Sequence, residues 1–383
     1  MKNKLIFIFY IIIFLNSNAL SFAKSNVLKI GLLAPLSGEY KELGDSLLYS
    51  LQLALGEIGD KNVFIIPRDS GSGDPKKLSN AIKEIKDQGA NVVIGPINNE
   101  DFSEVKKFND MIFISPSNMN PEFESNVISI GVSLESQMRS LLDFIKKKKN
   151  NKTVILLPKN QYTDFVEKKI EKLNLNNFKI FKYSSDPKVL TGEIEILTNY
   201  SQRKRNLELR KKMFEDKDDE QSKRQLERLE QKYTIGDVNF DSVIIIDFGS
   251  SLKSVLTSLV FTDVDQQKVL FTTVNQWFDE SIFYENTVKS LYYPSVNYKE
   301  FKKYKEKYFK VFENFPNEMT ILTYDAIGLL YYTLKKNGKI SSVNDFSFKG
   351  KIKGKIGTFS FDNKSIIQNL DIYKAEKNKF TKF

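Results

Sequence analysis

Two short apolar runs in the first third of the chain each end at a proline and open into polar residues. The run 91–96 leads into Asn98-Asn99, and the run 111–116 leads into Ser117-Asn118. Unbroken β-branched and aromatic runs are typical of strands that are buried on both faces. Residues 102–109 between them fit a short amphipathic helix. The pattern predicts two parallel neighbouring strands with both polar loops at their carboxyl ends, where ligands bind in such sheets. The alternative is that Gly-Pro and Ser-Pro only terminate the strands.

The same alternation of apolar runs and helical periodicity continues along the chain. Strands are predicted at 27–36, 63–68, 91–96, 111–116, 127–132, 153–158, 178–183, 242–248, 269–274, 289–294, 355–362 and 370–374. Helices are predicted at 43–58, 75–87, 102–109, 133–146, 164–173, 189–200, 252–260, 298–312 and 319–334. In the helix 298–312, the aromatic residues Phe301, Tyr304, Tyr308, Phe309 and Phe312 are predicted to face the core. Strands that alternate with helices throughout predict an α/β protein of doubly wound sheets.

One stretch departs from this alternation of strands and helices. Residues 201–233 are mostly charged, with a basic half from Arg203 to Lys212 and an acidic block from Glu215 to Glu220. We expect one long helix or a helical pair that stands away from the body. Its role is either partner contact or a solvated surface without a partner.

Composition excludes several classes of enzyme. The chain has 383 residues with no cysteine and no histidine, so it cannot form a Ser-His-Asp or Cys-His arrangement. Transition-metal sites lose their usual ligands, and no phosphate-binding loop motif is present. The net charge of +10 is spread through lysine-rich sequence without interleaved aromatic residues. This indicates a solvated surface and not a nucleic-acid groove. We therefore predict a non-enzymatic protein without a cofactor or a metal.

The first residues resemble a secretory signal peptide. Met1–Lys4 is basic, Leu5–Leu15 is apolar, and Ser21-Phe22-Ala23 carries small residues at the two positions that a signal peptidase reads. We expect cleavage after Ala23 and an exported protein that has no membrane span after cleavage. Because no cysteine follows the apolar run, lipid attachment at such a residue is not expected.

Small polar and aromatic residues follow many of the predicted strands. Side chains of this kind can bind a ligand on a rigid frame without reacting with it. The candidate ligand-binding residues are Ser37, Asn98, Asn99, Ser117, Asn118, Tyr162, Asp247, Ser250, Asn275 and Trp277.

Three ordered segments resemble the type I periplasmic binding proteins of the Leu/Ile/Val-binding family. They begin at Ile30, Asp74 and Ile114 and read IGLLAPLSGEYKELGDSLLYSLQLALGEI, DPKKLSNAIKEIKDQGANVVIGP and ISPSNMNPEF. The resemblance implies two Rossmann-like lobes around a central cleft, with a charged helical insert in the second lobe. It implies residues 24–132 and 296–360 in lobe 1, 133–295 and 361–383 in lobe 2, and 201–233 as the insert. It also implies a periplasmic location and a small polar ligand, such as an amino acid, between the lobes.

The resemblance also bears on individual residues. It places a ligand-binding tyrosine at Tyr162, and places the carboxylate that neutralises a ligand ammonium at about Asn275. Because an asparagine carries no charge, we predict weak or absent binding of leucine, isoleucine and valine.

A second branch of the same fold is also similar. Residues 240–248, 261–265 and 275–279, with the charged insert before them, resemble the penicillin-binding protein activators. The two branches imply different roles. One is a receptor that delivers a ligand to an ABC transporter permease, and the other is a regulator that contacts a peptidoglycan synthase and carries no transported ligand.

Overall fold

The computed structural model describes residues 27–118, 126–173, 178–284, 289–348, 350–355, 357–362 and 365–383, without the side chains of Asn99, Asp362 and Ser365. The predicted signal peptide lies outside these residues, as does the second polar loop beyond Asn118.

The first sheet has five parallel strands in the order β2-β1-β3-β4-β5. These strands are β1 (Leu28–Ala34), β2 (Val63–Asp69), β3 (Val92–Ile94), β4 (Ile112–Ser115) and β5 (Val127–Ser129). Ile94 of β3 is in register with Leu32 of β1 and with Ile114 of β4. The polar loops after β3 and β4 therefore leave the sheet side by side, as the sequence predicts.

Helices α1 (Lys41–Ile58), α2 (Pro75–Asp87) and α3 (Phe102–Val105) connect these strands. The predicted start of α2 is confirmed, because the Asp74 side chain accepts hydrogen bonds from the N–H groups of Lys76 and Lys77. Helix α3 is shorter than predicted. Its continuation tightens, with the Lys107 and Phe108 N–H groups bonded to carbonyls three residues earlier, and this geometry does not propagate an α-helix.

The second sheet has seven strands in the order β15-β14-β10-β9-β8-β6-β7. The first five along the chain are parallel, and they are β6 (Thr153–Pro158), β7 (Phe178–Tyr183), β8 (Ser242–Ile245), β9 (Leu270–Thr273) and β10 (Leu291–Ser295). Strands β14 (Asp371–Glu376) and β15 (Lys379–Lys382) add an antiparallel edge beside β10. The helices of this part are α4 (Leu134–Lys147), α5 (Thr163–Glu171), α6 (Pro187–Leu197) and α9 (Gly249–Phe261).

The charged stretch folds as a helical pair. Helix α7 (Tyr200–Glu215) and helix α8 (Glu220–Glu230) pack against each other, and α7 follows directly on α6. Most of their side chains are exposed, while Leu207 and Leu229 are buried at the base. The insert is joined to lobe 2 by the buried Arg203, which donates to the carbonyls of Gly236, Thr262 and Asp263.

The last part of the chain returns to the first sheet before it ends in the second. Helices α10 (Tyr298–Phe312) and α11 (Ile321–Asn337) pack on α1, and a small antiparallel sheet follows, built from β11 (Lys351–Lys353), β12 (Thr358–Asp362) and β13 (Ser365–Asn369). The sequence pattern missed β11, β13 and β15. These segments lie in short antiparallel ladders, where pairing with a neighbour decides the structure more than the pattern of a few residues.

Candidate functional site

A cleft of about 740 Å³ lies between the two lobes, at the carboxyl ends of parallel strands from both sheets. One wall is formed by lobe 1 through Tyr40, Ser72, Gly73, Ile97, Asn98, Glu100, Ser117 and Asn118. The other wall is formed by lobe 2 through Leu134, Glu135, Gln137, Leu157, Pro158, Asn160, Tyr162, Thr163, Phe165, Val166, Lys169, Ile246, Asp247, Phe248 and Val274. Both lobes contribute polar and apolar groups, so one small molecule could contact both.

On the lobe 1 side, hydroxyl groups connect the two proline-containing loops. The Ser115 Oγ donates to the Pro96 carbonyl over 2.6 Å and accepts from the Ser117 N–H at 3.1 Å. The Ser129 Oγ donates to the Ser117 carbonyl over 2.8 Å. The backbone of Ser117 is therefore bonded inside the lobe, and this holds Asn118 at the cleft wall.

Two glycines allow these loops to approach the rest of the lobe. Gly95 has a φ of +102°, and a Cβ on it would lie 2.2 Å from the Leu33 carbonyl oxygen. A Cβ on Gly131 would lie 1.8 Å from the Ser117 carbonyl oxygen. No side chain fits at either position, so the loop geometry requires glycine there.

On the lobe 2 side, the loop after β6 places Tyr162 at the cleft. The Asn160 Oδ1 accepts a hydrogen bond from the Tyr162 N–H at 2.9 Å. The Thr163 Oγ1 donates to the Pro158 carbonyl over 2.6 Å and accepts from the Asn160 N–H at 2.8 Å. Tyr162 remains 52% exposed, so its ring is available to a ligand.

Asp247 follows β8 and is held by three neutral donors. Its Oδ2 accepts from the hydroxyls of Tyr183 and Ser251, each at 2.5 Å, and its Oδ1 accepts from the Phe248 N–H at 2.8 Å. Burial, with the nearby Asp247 charge, raises the pKa of Tyr183 above its ordinary value. Tyr183 therefore stays protonated and donates, so the carboxylate has a fixed orientation.

A second carboxyl group lies behind the lobe 1 wall. Asp101 follows the cleft residue Glu100, is 4% exposed, and has an Oδ2 without a hydrogen-bond partner among the described residues. Burial, and secondarily the charge of Glu100, raises the pKa of Asp101 to about 6.

The structure brings five of the predicted site residues to the cleft. These are Asn98, Ser117, Asn118, Tyr162 and Asp247. The backbone of Asn99 lies in a short 3₁₀ turn beside them, and its side chain lies outside the described residues.

The described lining does not include the other four candidates, and each of these has other contacts. The Ser37 hydroxyl donates to Asp69, and Ser250 is exposed in the first turn of α9. The Asn275 Oδ1 accepts from the Trp277 N–H at 3.0 Å and from the Ser295 Oγ at 2.8 Å. The Trp277 ring packs against Phe301, with 6.2 Å between the ring centroids. The Asn275 side chain therefore supports its own loop and bonds to β10, and the Trp277 ring packs on α10.

Only part of the predicted ligand-binding residues converge on one site. Ser117, Asn118 and Tyr162 line the same cleft, whereas Ser37 and Asn275 do not belong to its described lining. The missing charge at Asn275 therefore does not indicate which ligand charge the cleft accepts. The carboxylates of the described lining come from Glu100, Glu135 and Asp247.

Several lining residues were not predicted from the sequence. Glu135 and Lys169 lie on α4 and α5, and the Lys169 Nζ is 3.2 Å from the Glu135 Oε1. Tyr40 and Phe248 are 50% and 55% exposed. Phe248 could have been found from its position beside Asp247 at a strand end, whereas the ion pair depends on two helices that only the fold brings together.

In the part of the chain that the structure describes, no group of three or more acidic, histidine or cysteine residues could hold a metal ion. Among the same residues, no helix is both long enough and apolar enough to span a membrane.

Comparisons with known proteins agree with this architecture. Residues 27–170 match the family model described as "Periplasmic binding protein". No curated protein sequence matches the chain.

Several solved structures have the same fold at low sequence identity. The branched-chain amino acid substrate-binding protein LivJ of Streptococcus pneumoniae, in complex with isoleucine, is 15% identical, with a TM-score of 0.54 over 93% of this chain and 100% of that one. The C-domain of LpoA from Haemophilus influenzae, a regulator of PBP1A, is 13% identical, with a TM-score of 0.61 over 93% and 99%. A solute-binding protein from Rhodopseudomonas palustris, in complex with 3,4-dihydroxybenzoic acid, is 14% identical, with a TM-score of 0.57 over 94% and 97%.

These matches support the same conclusion as the two sheets and the cleft between them. The chain has the fold of the type I periplasmic binding proteins, and its residues 27–170 match the model of the periplasmic binding protein family.

Proposed function

We propose that this chain is an exported, non-catalytic binding protein that holds a small organic ligand between its two lobes. The cleft of about 740 Å³, lined from both lobes, is the observation that carries this proposal. Its volume lies within the range of about 300–1,000 Å³ of small-molecule sites. Asparagine and tyrosine side chains on rigid strand ends supply donors and acceptors, and aliphatic side chains from lobe 2 supply an apolar surface.

Native mass spectrometry of protein purified without refolding tests the proposal. We expect a retained small molecule, and we expect Tyr162→Ala and Asn118→Ala to lower its occupancy because both side chains line the cleft. Tyr284→Ala, at a tyrosine that is 82% exposed and outside the described lining, is the matched control. Protein that retains no ligand, and whose melting temperature no small molecule raises, would contradict the proposal.

A second candidate function is regulation of a peptidoglycan synthase through protein contact. The α7–α8 insert supports it, because Leu209 and Met213 are 56% and 57% exposed one helical turn apart on α7. None of the described cleft-lining residues comes from the insert, so partner contact there would leave the cleft free. The fold shared with the LpoA C-domain supports the same role.

The two roles separate in a binding experiment. Residues 209–227 would be replaced by a short Gly-Ser linker, which keeps the buried Leu207 and Leu229. The regulator role predicts that this variant loses binding to a purified peptidoglycan synthase of the same organism while it keeps its melting temperature. A transport receptor would keep its ligand and show no synthase binding with or without the insert.

A further inference from the structure

The charged side chains of the cleft are mostly acidic. Glu100 comes from lobe 1, and Glu135 and Asp247 come from lobe 2. Lys169 is the single lysine or arginine in the described lining, and its Nζ is paired with Glu135 and lies 5.5 Å from the centre of the Phe165 ring. Within the described residues, Glu100 and Asp247 are therefore left without an ion pair.

Hydrogen bonds hold the Asp247 carboxylate in a fixed direction at the cleft wall. Its three hydrogen bonds come from the Tyr183 hydroxyl, the Ser251 hydroxyl and the Phe248 N–H, all of which are neutral. Neutral donors fix the direction of the Asp247 carboxylate and bring no positive charge to it. A fixed negative charge at a cleft wall attracts a cation and repels an anion.

Exposed aromatic rings line the same cleft as these carboxylates. Tyr40 of lobe 1 is 50% exposed, and Tyr162 and Phe248 of lobe 2 are 52% and 55% exposed, and all three line the cleft. The face of an aromatic ring attracts an ammonium or guanidinium group, and rings that surround such a group recognise it together. The same rings provide an apolar surface for the body of the ligand.

We propose that the cleft binds an organic cation, an ammonium or guanidinium group on an aromatic or aliphatic body that carries no carboxylate. The inference rests on the proposed function, because it assigns a ligand class to the same cleft. An anion would meet Glu100 and Asp247 without a free cation to balance it. A zwitterion would place its carboxylate in a lining whose described lysine is already paired.

Three probes of one shape and different charge test this assignment by isothermal titration calorimetry at pH 7. They are phenethylamine as the cation, 2-phenylethanol as the neutral molecule and 3-phenylpropionate as the anion. We expect phenethylamine to bind at least 10-fold more tightly than 2-phenylethanol, and 3-phenylpropionate to give no binding. Glu100→Gln and Asp247→Asn should each weaken phenethylamine about fivefold or more.

Controls separate charge from folding. Glu306→Gln, at an exposed glutamate of α10 outside the described lining, should leave phenethylamine binding unchanged. Thermal melting monitors the fold of Asp247→Asn, because this residue also holds Tyr183, while Glu100 is exposed and its substitution leaves the core intact.

The outcomes distinguish the two proposals. Equal or tighter binding of the neutral or the anionic probe overturns the cation assignment and leaves the ligand-binding function standing. If no probe binds but the purified protein retains a ligand, the charge of that ligand decides, and a neutral or anionic one overturns the assignment. If nothing binds and nothing is retained, the proposed function and the cation assignment both fail.

Discussion

At the residue scale, the lobe 1 wall of the cleft depends on close contacts that a larger side chain would disrupt. The Ser115 hydroxyl links the two proline-containing loops, and Gly131 lets the chain after β5 pass directly under the Ser117 carbonyl. Ser115 and Gly131 are not in the described cleft lining, so they act on a ligand through the positions of Ser117 and Asn118. Their substitution should therefore affect ligand binding and stability together.

Gly131→Ala tests this close approach. Its Cβ would lie 1.8 Å from the Ser117 carbonyl oxygen, so one of the two segments must move. We expect a loss of stability on the order of 2 kcal/mol in urea unfolding and weaker ligand binding in calorimetry. Gly56→Ala, within α1 and with nothing near the added atom, should be neutral or slightly stabilising. Equal behaviour of both variants would contradict the steric argument.

Asp101 predicts a pH dependence of stability. Because its folded-state pKa is raised to about 6, the folded protein binds more protons at this group than the unfolded protein between about pH 4 and pH 6. The contribution of Asp101 to the free energy of unfolding therefore falls as the pH rises through this window. Asp101→Asn should remove that fall and stabilise the protein at pH 7 by on the order of 2 kcal/mol.

Urea titrations at pH 4, 5, 6 and 7 measure this effect. Asp110→Asn, at an exposed carboxylate paired with Lys86, is the control and should change the profile much less. A variant Asp101→Asn with the same pH profile as the unchanged protein would show that the buried carboxyl group is not responsible.

At the element scale, the charged insert has an exposed outer part and a base that is hydrogen-bonded to lobe 2. Arg203 lies in its predicted basic half, yet it is 7% exposed and donates to the carbonyls of Gly236, Thr262 and Asp263 and to the Thr234 hydroxyl. The base of the insert thus belongs to lobe 2, while the outer turns of α7 and α8 carry the exposed charges.

Arg203→Ala should therefore destabilise the protein by on the order of 3 kcal/mol, because it leaves buried carbonyls without their donor. Arg205→Ala, at an exposed arginine of the same helix, should change stability by less than about 0.5 kcal/mol. Thermal and urea unfolding of both variants measure the difference. A deletion that begins before Arg203 would remove this anchor, so a loss of stability in such a deletion would say nothing about partner contact.

Helix α10 shows what periodicity predicts for a single element. Phe301, Tyr304 and Tyr308 are buried as expected, but Phe309 is 45% exposed and stacks on Phe315 at 4.8 Å. Position 309 lies about 100° around the helix from position 308, so the prediction that all five aromatic residues face the core was wrong for it.

At the scale of the whole molecule, segments distant in the chain meet where the two lobes join. The Gln368 side-chain amide donates to the Ile130 carbonyl over 2.8 Å. The backbone N–H of Gln368 donates to the Ser136 Oγ over 3.1 Å. Ile130 and Ser136 lie on the connection between β5 and the first turn of α4, and Gln368 lies near the return of the chain to the second sheet, so its hydrogen bonds hold these two connections together.

Gln368→Ala should lower the free energy of unfolding by on the order of 1–3 kcal/mol, since the buried Ile130 carbonyl loses its side-chain donor. Asn369→Ala, at the exposed neighbour whose side chain donates to the Thr358 carbonyl, is the matched control and should have little effect. Urea unfolding followed by circular dichroism measures both. Equal effects would mean that the contact between the connections contributes nothing specific to stability.

The sequence alone determined the order of most strands and helices, the adjacent polar loops after β3 and β4, and the fold class. Those features depend on local periodicity, on capping by Asp74 and on segments long enough to resemble a known family. Five cleft residues were found in the same way, because the carboxyl ends of parallel strands meet at one edge. Only the tertiary structure decided that Asn275 supports its own loop, that Arg203 is buried, and that Glu135 and Lys169 form a pair across two helices. Such contacts join residues far apart in the chain, and no local pattern specifies which partner a polar side chain finds.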